Sequence, residues 1–247
     1  MENKDSISAG FLIIGDEILS GRTIDQNLNF LAKNLSEIGI NLIEVRVVKD
    51  IEKDIIDALQ YLYKKFDYVF TSGGIGPTHD DITSLSVAKA FNDELVLNHQ
   101  AQEILFQHYG KENVNDARLK MAFIPKSATL LDNSISSAPG FRIKNVFVMA
   151  GIPKIFQAMF FACKKELPTG KKIFSKEITI SLTESIIAKD LTDLQNKYPE
   201  VIMGSYPSEQ QTSLVFRSTN QDLINKSSSE MIELINAKNP NSIIKIS

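Results

Sequence analysis

The sequence has almost no cysteine, no long apolar run and no surplus of either charge. Its single cysteine, Cys163, excludes an internal disulfide framework and any zinc cluster held by thiolates. No apolar stretch approaches the roughly 20 residues needed to span a bilayer, so no membrane association is expected. The opening MENKDSISAG is polar and lacks the apolar core of a signal peptide, which points to the cytoplasm. The 27 basic and 30 acidic side chains leave a net charge of −3, too little basic surface for a protein whose main work is wrapping nucleic acid. No nucleic-acid partner is expected.

What is present is globular. The 247 residues can bury a sizeable core without staples or metals. GFLIIG (10 to 15) reads as a buried strand, and Ile24, Leu28, Leu31, Leu35 and Ile38 mark a helix from about Asp25 to Ile38, stopped by Gly39. NLIEVRVV (41 to 48) is a second strand; Ile55, Leu59, Leu62 and Phe66 mark a second helix. DYVFTS (67 to 72) is a third strand, followed by a helix from Thr83 to Phe91. Alternation of this kind predicts a parallel sheet with helices on its faces. The middle is less regular: 98 to 110 reads as a helix, and 117 to 125 as a short helix ending at Pro125. The segments 128 to 133 and 145 to 151 read as strands around the turn SAPGF, and 151 to 167 as a helix with Pro153 in its first turn. PTGKK (168 to 172) reads as a boundary between domains at 1 to 168 and 169 to 247. Beyond it the order is β-α-β-β-α-β, a small α+β unit.

Ligands of open parallel α/β sheets bind beyond the carboxyl ends of the strands. Four loops leave those ends here: GDE (15 to 17), KD ending in Asp50, GGIGPTHDD (73 to 81) and AGIP (150 to 153). The glycine loop lacks the Lys-Ser/Thr of a P-loop and does not fit the dinucleotide G-x-G-x-x-G spacing. Its glycines allow close backbone approach, and amides at a helix start favour an anion. A tight turn in which Asp80, Asp81 or Thr83 merely caps the helix is the alternative. Two carboxylates conflict with a phosphate: like charges about 4 Å apart repel by roughly 1 kcal/mol in water and about 4 kcal/mol at an effective dielectric near 20. A divalent cation removes the conflict, bridging carboxylate and phosphate oxygens as magnesium does. A metal-bound, phosphate-bearing small molecule is therefore the expected ligand, with Asp80 and Asp81 on the metal. Asp16, Glu17 and Asp50 are candidates for further ligation or hydrogen bonding.

IIGDEILSGRTIDQNLNFLAKNL, Asp50 and TSGGIGPTHDDIT together closely resemble the molybdopterin-binding (MoaB/Mog-like) domain, and most nearly its CinA type, over roughly residues 9 to 168. SAPGF resembles that family's Ala-Pro-Gly-Phe turn, and AGIP its Pro-Gly-Val-Pro, with Ala150 in place of the first proline. ESIIAKDL and GSYP, within roughly 171 to 247, resemble the KH-like domain that follows in CinA. The amidase domain often carried at the C-terminus of CinA has no room in this chain, and the arrangement resembles the N-terminal region of eukaryotic FAD synthases. The resemblance implies a three-layer, mostly parallel α/β sheet with helices on both faces. It implies molybdopterin as a ligand, adenylylated by classical members with an acidic residue matching Asp81. CinA-type and FAD-synthase relatives are associated instead with metal-dependent hydrolysis of nucleotide pyrophosphates such as ADP-ribose or FAD, the reading favoured for this chain.

On that reading the backbone of Gly73, Gly74 and Gly76 cradles a phosphate, assisted by the Ser72 and Thr78 hydroxyls. Asp81 and Asp80 hold the cation, and Asp50 or Glu17 is the candidate base for an attacking water. Pro77, Thr83, Asn27, Pro139, Gly140, Gly151 and Pro153 complete the implied ligand contacts. A binding module that holds a pterin or nucleotide without turnover is a competing reading, and adenylyl transfer to molybdopterin is a third. His79 is expected to pack in the loop, His99 and His108 to be partly exposed helix residues, and Cys163 to be core. Arg22 and Asn27 read equally as ligand contacts or as an ion pair and a helix cap. IFQAMFF (155 to 161) is apolar almost all round, which suggests an interface. Family members commonly form oligomers, so a homo-oligomer, dimer or trimer, is expected.

Overall fold

The computed structural model describes residues 7–136 and 138–247, so the first six residues of the polar opening and Ser137 of the SAPGF turn lie outside the described residues. The chain divides into two compact units, Met1–Gly170 and Lys171–Ser247.

The first unit runs β1 (Ile7–Ile14), α1 (Asp16–Leu19), α2 (Asn27–Glu37), β2 (Ile40–Val48), α3 (Glu52–Lys65), β3 (Tyr68–Ser72) and α4 (Thr83–Ala90). It continues with β4 (Leu95–Leu97), α5 (His99–Tyr109), a 3₁₀ turn (Lys111–Asn113), α6 (Asp116–Lys120), β5 (Phe123–Pro125), β6 (Thr129–Leu131), β7 (Gly140–Ile143), β8 (Val146–Met149) and α7 (Pro153–Lys164). Six strands form one sheet in the order β2-β1-β3-β8-β7-β6. The first four are parallel, while β7 runs against β8 and β6 against β7. The sheet is thus mixed, with its parallel part at the β2 side.

Successive residues of a strand face opposite sides, so each strand feeds two cores. Phe11, Phe70, Phe147 and Met149 meet Leu31 and Leu35 of α2 and Phe156 and Phe160 of α7 on one face. Leu12, Ile14, Val69 and Val148 meet Ile55, Leu59 and Leu62 of α3 and Val87 of α4 on the other. Phe70 and Phe147 stack across neighbouring strands, with centroids 5.3 Å apart. Each fully buried side chain of this size stabilises the fold by about 1.5–3 kcal/mol. Helices on both faces pin the parallel strands, whose carboxyl ends therefore open on a single edge.

Two local readings are corrected. The segment 117 to 125 is not one helix. Asn115 caps α6 by accepting the Arg118 amide at 3.0 Å, the helix stops at Lys120, and Phe123–Pro125 becomes a strand paired antiparallel with β4. That pairing buries Ile124, which a continued helix would not do, and it leaves Pro125 at a strand end where its missing amide costs little. GFRI is not simply a turn: it is β7, inserted between β6 and β8, with Phe141 opposite Val148. Four residues flanked by Pro139 and by Lys144, which has φ 52°, carry too little periodicity to reveal a strand. The apolar helix α7 buries Phe156, Met159, Phe160 and Cys163 and leaves Phe161 exposed, edge-on to Phe30.

The second unit is β9 (Phe174–Ile180), α8 (Glu184–Lys197), β10 (Ile202–Pro207), β11 (Thr212–Ser218), α9 (Gln221–Lys238) and β12 (Ile243–Ile246). Its antiparallel sheet has the order β10-β11-β9-β12, and Ile178, Ile180, Leu214 and Phe216 meet Ile187, Leu194, Met231 and Ile235 of the two helices. The β-α-β-β-α-β order is the one the sequence predicts. No helix among the described residues is long and apolar enough to cross a membrane.

Candidate functional site

The carboxyl ends of β1, β2, β3 and β8 each release a polar loop, and the four loops enclose a cavity of about 400 Å³. Gly15 and Glu17 come from the first loop, Asp50 from the second, residues 73 to 78 with Asp80 and Asp81 from the third, and residues 150 to 152 from the fourth. An adjoining basin of about 550 Å³ shares Glu17, Asp50 and Asp80 and adds Asp16, Leu19, Ser20, Arg22 and Lys49. A small inner cavity of about 50 Å³ is walled in part by Asn27, Ser72, Gly151 and Pro153.

The glycine loop is built from both ends. Gly73 has φ 106°, and a Cβ there would sit 2.1 Å from the Ile14 carbonyl oxygen, so only glycine lets β1 and the loop approach this closely. Its amide donates to the Met149 carbonyl at 3.1 Å, continuing the β3–β8 ladder. The Gly73 amide is therefore spent on the sheet, which removes it from the expected phosphate cradle. The Gly74, Ile75 and Gly76 amides have no hydrogen-bond partner among the described residues. Thr83 is fully buried and does not meet the cavity; its hydroxyl donates to the Gly73 carbonyl at 3.0 Å and its amide to the Gly74 carbonyl at 2.9 Å.

None of Asp80, Asp81 and Thr83 caps α4 through its side chain; Ile82 holds the cap position. Asp81 instead closes the loop on itself, its Oδ2 accepting the Thr78 amide at 2.8 Å and the Thr78 hydroxyl at 2.5 Å. The simple capping alternative is thereby excluded. Asp80 faces both larger cavities, and the nearby Thr78 side chain, followed by its own backbone amide, holds its carboxyl below the ordinary range, although the one Thr78 O–H proton is directed at Asp81. His79 does not pack: its side chain is 98% exposed, with Nδ1 3.9 Å from Asp80. A loop tip that projects into water gives the ring nothing to pack against.

Across the cavity Asp50 accepts the Asp16 amide at 3.0 Å through Oδ2. Burial pushes the Asp50 carboxyl above its ordinary value, opposed by that amide and reinforced by the charges of Glu17, Asp16 and Asp80. Asn27 is neither a cap nor exposed. Its Nδ2 donates to Ser72 Oγ and to the Gly151 carbonyl, each at 2.8 Å, tying the start of α2 to the loops after β3 and β8. Gln26 holds the cap position of α2 without a side-chain bond, and Asp25 before it accepts the Leu28 amide at 2.7 Å. Asn27 Oδ1 is buried without a partner. Pro139 and Gly140 are buried beside β8 and line none of these cavities; a Cβ on Gly140 would meet the Val148 carbonyl.

One residue of the site has no signal in the sequence. Lys120, at the end of α6, donates from Nζ to the Thr78 carbonyl oxygen. It lies 42 positions from Thr78 and in a segment read as helix, so only the folded chain brings it to the loop. Among the described residues no group of three or more His, Cys, Asp or Glu could hold a metal ion.

A family profile described as a probable molybdopterin binding domain matches residues 10–169, and one described as the middle domain of FAD synthase matches 172–242. A protein named probable FAD synthase from Caenorhabditis elegans is 33% identical over 226 residues, 81% of this chain and 44% of that protein. The chain thus spans less than half of that relative's length. A protein of Archaeoglobus fulgidus is 29% identical over 230 residues, covering 92% of this chain and 99% of its own. Among solved structures, the protein CinA of Thermoplasma acidophilum, described as of unknown function, superimposes with a TM-score of 0.63 at 32% identity, over 66% of this chain and 99% of that one.

Proposed function

The chain belongs to the family of probable molybdopterin-binding domains, and on that premise we propose that its four-loop cavity binds the pyrophosphate of a nucleotide such as ADP-ribose or FAD and hydrolyses it. The observation that carries the reading is the convergence itself. Gly74, Ile75 and Gly76, whose amides have no partner among the described residues, line one cavity with Asp50, Glu17, Asp80 and Asp81, which brings anion donors and carboxylates together. Similarity to a protein named FAD synthase supports a nucleotide rather than some other phosphate ester.

The donor set suits a hard divalent cation. Asp80 and Asp81 offer carboxylate oxygens at the loop, and the lack of a three-residue cage among the described residues fits magnesium, which keeps waters and shares phosphate oxygens. Held by Asp80 and Asp81, such an ion would offset phosphoryl charge. The chain's own residues do the rest. The three free amides orient the phosphate oxygens and stabilise charge that grows on them. Asp50 is the favoured base: the Asp16 amide fixes Oδ2, leaving Oδ1 for a water, and burial raises its carboxyl above its own ordinary value. Water oxygen bonds to one phosphorus, the P–O–P bridge breaks, the proton passes to Asp50 and two monophosphates leave.

A second reading draws on the hydrogen bonds that already engage Asp81: a module that holds a pterin or nucleotide without turnover. Release of AMP from ADP-ribose, FAD, NAD and ATP, with magnesium, cobalt or EDTA, separates the two. Metal-dependent AMP release from one of the first three, lost in Asp81→Ala and in Asp50→Asn, supports hydrolysis. Retention of the ligand without turnover supports the module, and ATP-dependent modification of added molybdopterin supports adenylyl transfer.

A further inference from the structure

The glycine loop has a charge problem that its own sequence does not solve. Residues 72 to 82 contain no lysine or arginine, and four carboxylates, Glu17, Asp50, Asp80 and Asp81, line the cavity, while Arg22 and Lys49 line only the adjoining basin. A pyrophosphate brings two or more further negative charges, and a single divalent ion offsets only part of the total. Phosphate loops elsewhere answer this with a lysine that follows the glycines. The position after the glycines here is Pro77.

A cation does reach this loop from another part of the chain. Lys120, at the end of α6, donates from its ammonium to the carbonyl oxygen of Thr78, one of the residues that line the cavity. That carbonyl also accepts the Asp81 amide at 3.3 Å, so the ammonium is anchored at the turn that carries both loop aspartates. An ammonium has three donors, and the Thr78 carbonyl takes one. Lys120 has no ion pair with a carboxylate among the described residues, although its charge is felt at Asp80 as a minor cause of that carboxyl's lowered value. A half-buried lysine resting on a neutral carbonyl beside an acidic cavity keeps two donors for an anionic ligand of that loop.

We propose that Lys120 is the phosphate-neutralising cation of the glycine loop, supplied by α6 rather than by the loop, and that it donates to the oxygens of the bound pyrophosphate. This rests on the pyrophosphate reading of the site. It differs from a purely mechanical role, in which Lys120 only props up Thr78, because its effect scales with ligand charge.

Isothermal titration of the full chain with adenosine, AMP and α,β-methylene-ADP, in wild type, Lys120→Gln and Lys120→Arg, tests it. Loss of one charge-assisted hydrogen bond is expected to weaken α,β-methylene-ADP about tenfold or more in Lys120→Gln. AMP should weaken less and adenosine not at all, while Lys120→Arg recovers most of the loss. Raising salt should weaken the wild type more steeply than Lys120→Gln. Equal weakening of all three ligands assigns Lys120 to loop support alone and overturns the proposal; so does unchanged affinity for α,β-methylene-ADP. Hydrogen exchange at residues 74 to 78, unchanged in Lys120→Gln, shows that the loop survives the substitution, and Lys120→Arg covers the case in which it does not. Wild type that fails to bind α,β-methylene-ADP refutes the pyrophosphate reading itself, a result distinct from binding that ignores Lys120.

Discussion

Gly73→Ala is the sharpest probe of how the loop is held. Its φ of 106° lies where an L-residue is strained, at a cost of order 1–3 kcal/mol. The added methyl also lands 2.1 Å from the Ile14 carbonyl oxygen and 3.2 Å from its carbon, both backbone atoms that no rotamer change can move. Relief requires prying the loop from β1, and overpacking of this kind costs about 1–3 kcal/mol. Displacement also strains the Gly73 amide bond to Met149, worth about 1 kcal/mol. The total is about 3–7 kcal/mol. Gly21→Ala is the control: its φ of 74° carries a similar conformational cost, but nothing lies within 4 Å of the new methyl, so about 1–2 kcal/mol is expected. The difference isolates the close approach of loop and strand. Because the chain has two units, a single melting temperature would merge two transitions. Hydrogen exchange of β1 and β3 peptides along a urea series reads the first unit by itself. Gly73→Ala should raise their opening about 100-fold or more, since each 1.4 kcal/mol is tenfold, and Gly21→Ala about 5- to 30-fold. Equal effects would refute the view that the loop is wedged against β1.

Three further outcomes are expected. Asn27→Ala removes two 2.8 Å hydrogen bonds and strands the Gly151 carbonyl; with the orphaned Oδ1 gone as partial relief, the loss is about 2 kcal/mol in the same exchange measurement. Asn27→Asp, which cannot donate, should lose at least as much, and an unperturbed Asn27→Ala would show that the three segments do not need the tie. Burial raises Asp50 above its ordinary 3.8, so its stabilising contribution is complete below that value and is lost as pH rises through the folded one. Asp50→Asn keeps an acceptor for the Asp16 amide, so its stability relative to wild type should improve as pH rises from about 3.8 toward neutrality. Parallel urea-midpoint curves against pH would contradict the burial account. Cys163 is buried and its thiol is pushed up to about 12, so a disulfide reagent at pH 8 should label it only on the timescale of unfolding; prompt labelling of native protein would place it at the surface.

Much of this protein is written in short stretches of sequence. The 3.6-residue spacing of Leu28, Leu31 and Leu35 and of Ile55, Leu59 and Leu62 specifies α2 and α3, because a helix face is defined by neighbours a few positions apart. The branched runs of β1 to β3 and the intervening helices imply parallel strands, and hence the single edge on which residues 15 to 17, Asp50, the glycine loop and residues 150 to 152 converge. The second unit's order of elements is equally local. Where the reading stopped, the deciding interactions were long-range. Whether Phe123–Pro125 is helix or strand depends on β4 being there to pair with it, and GFRI becomes a strand only between β6 and β8. The sequence marks Gly73 as special, but only the sheet shows that its amide belongs to Met149. Asn27 is a polar residue at a helix start until the fold sets Ser72 and Gly151 against it, from 45 and 124 positions away. Lys120 is one lysine among many until α6 reaches Thr78. Periodicity and glycine placement are properties of neighbours in the chain, whereas register, hydrogen-bond ownership and the pairing of distant charges exist only once the chain has closed on itself.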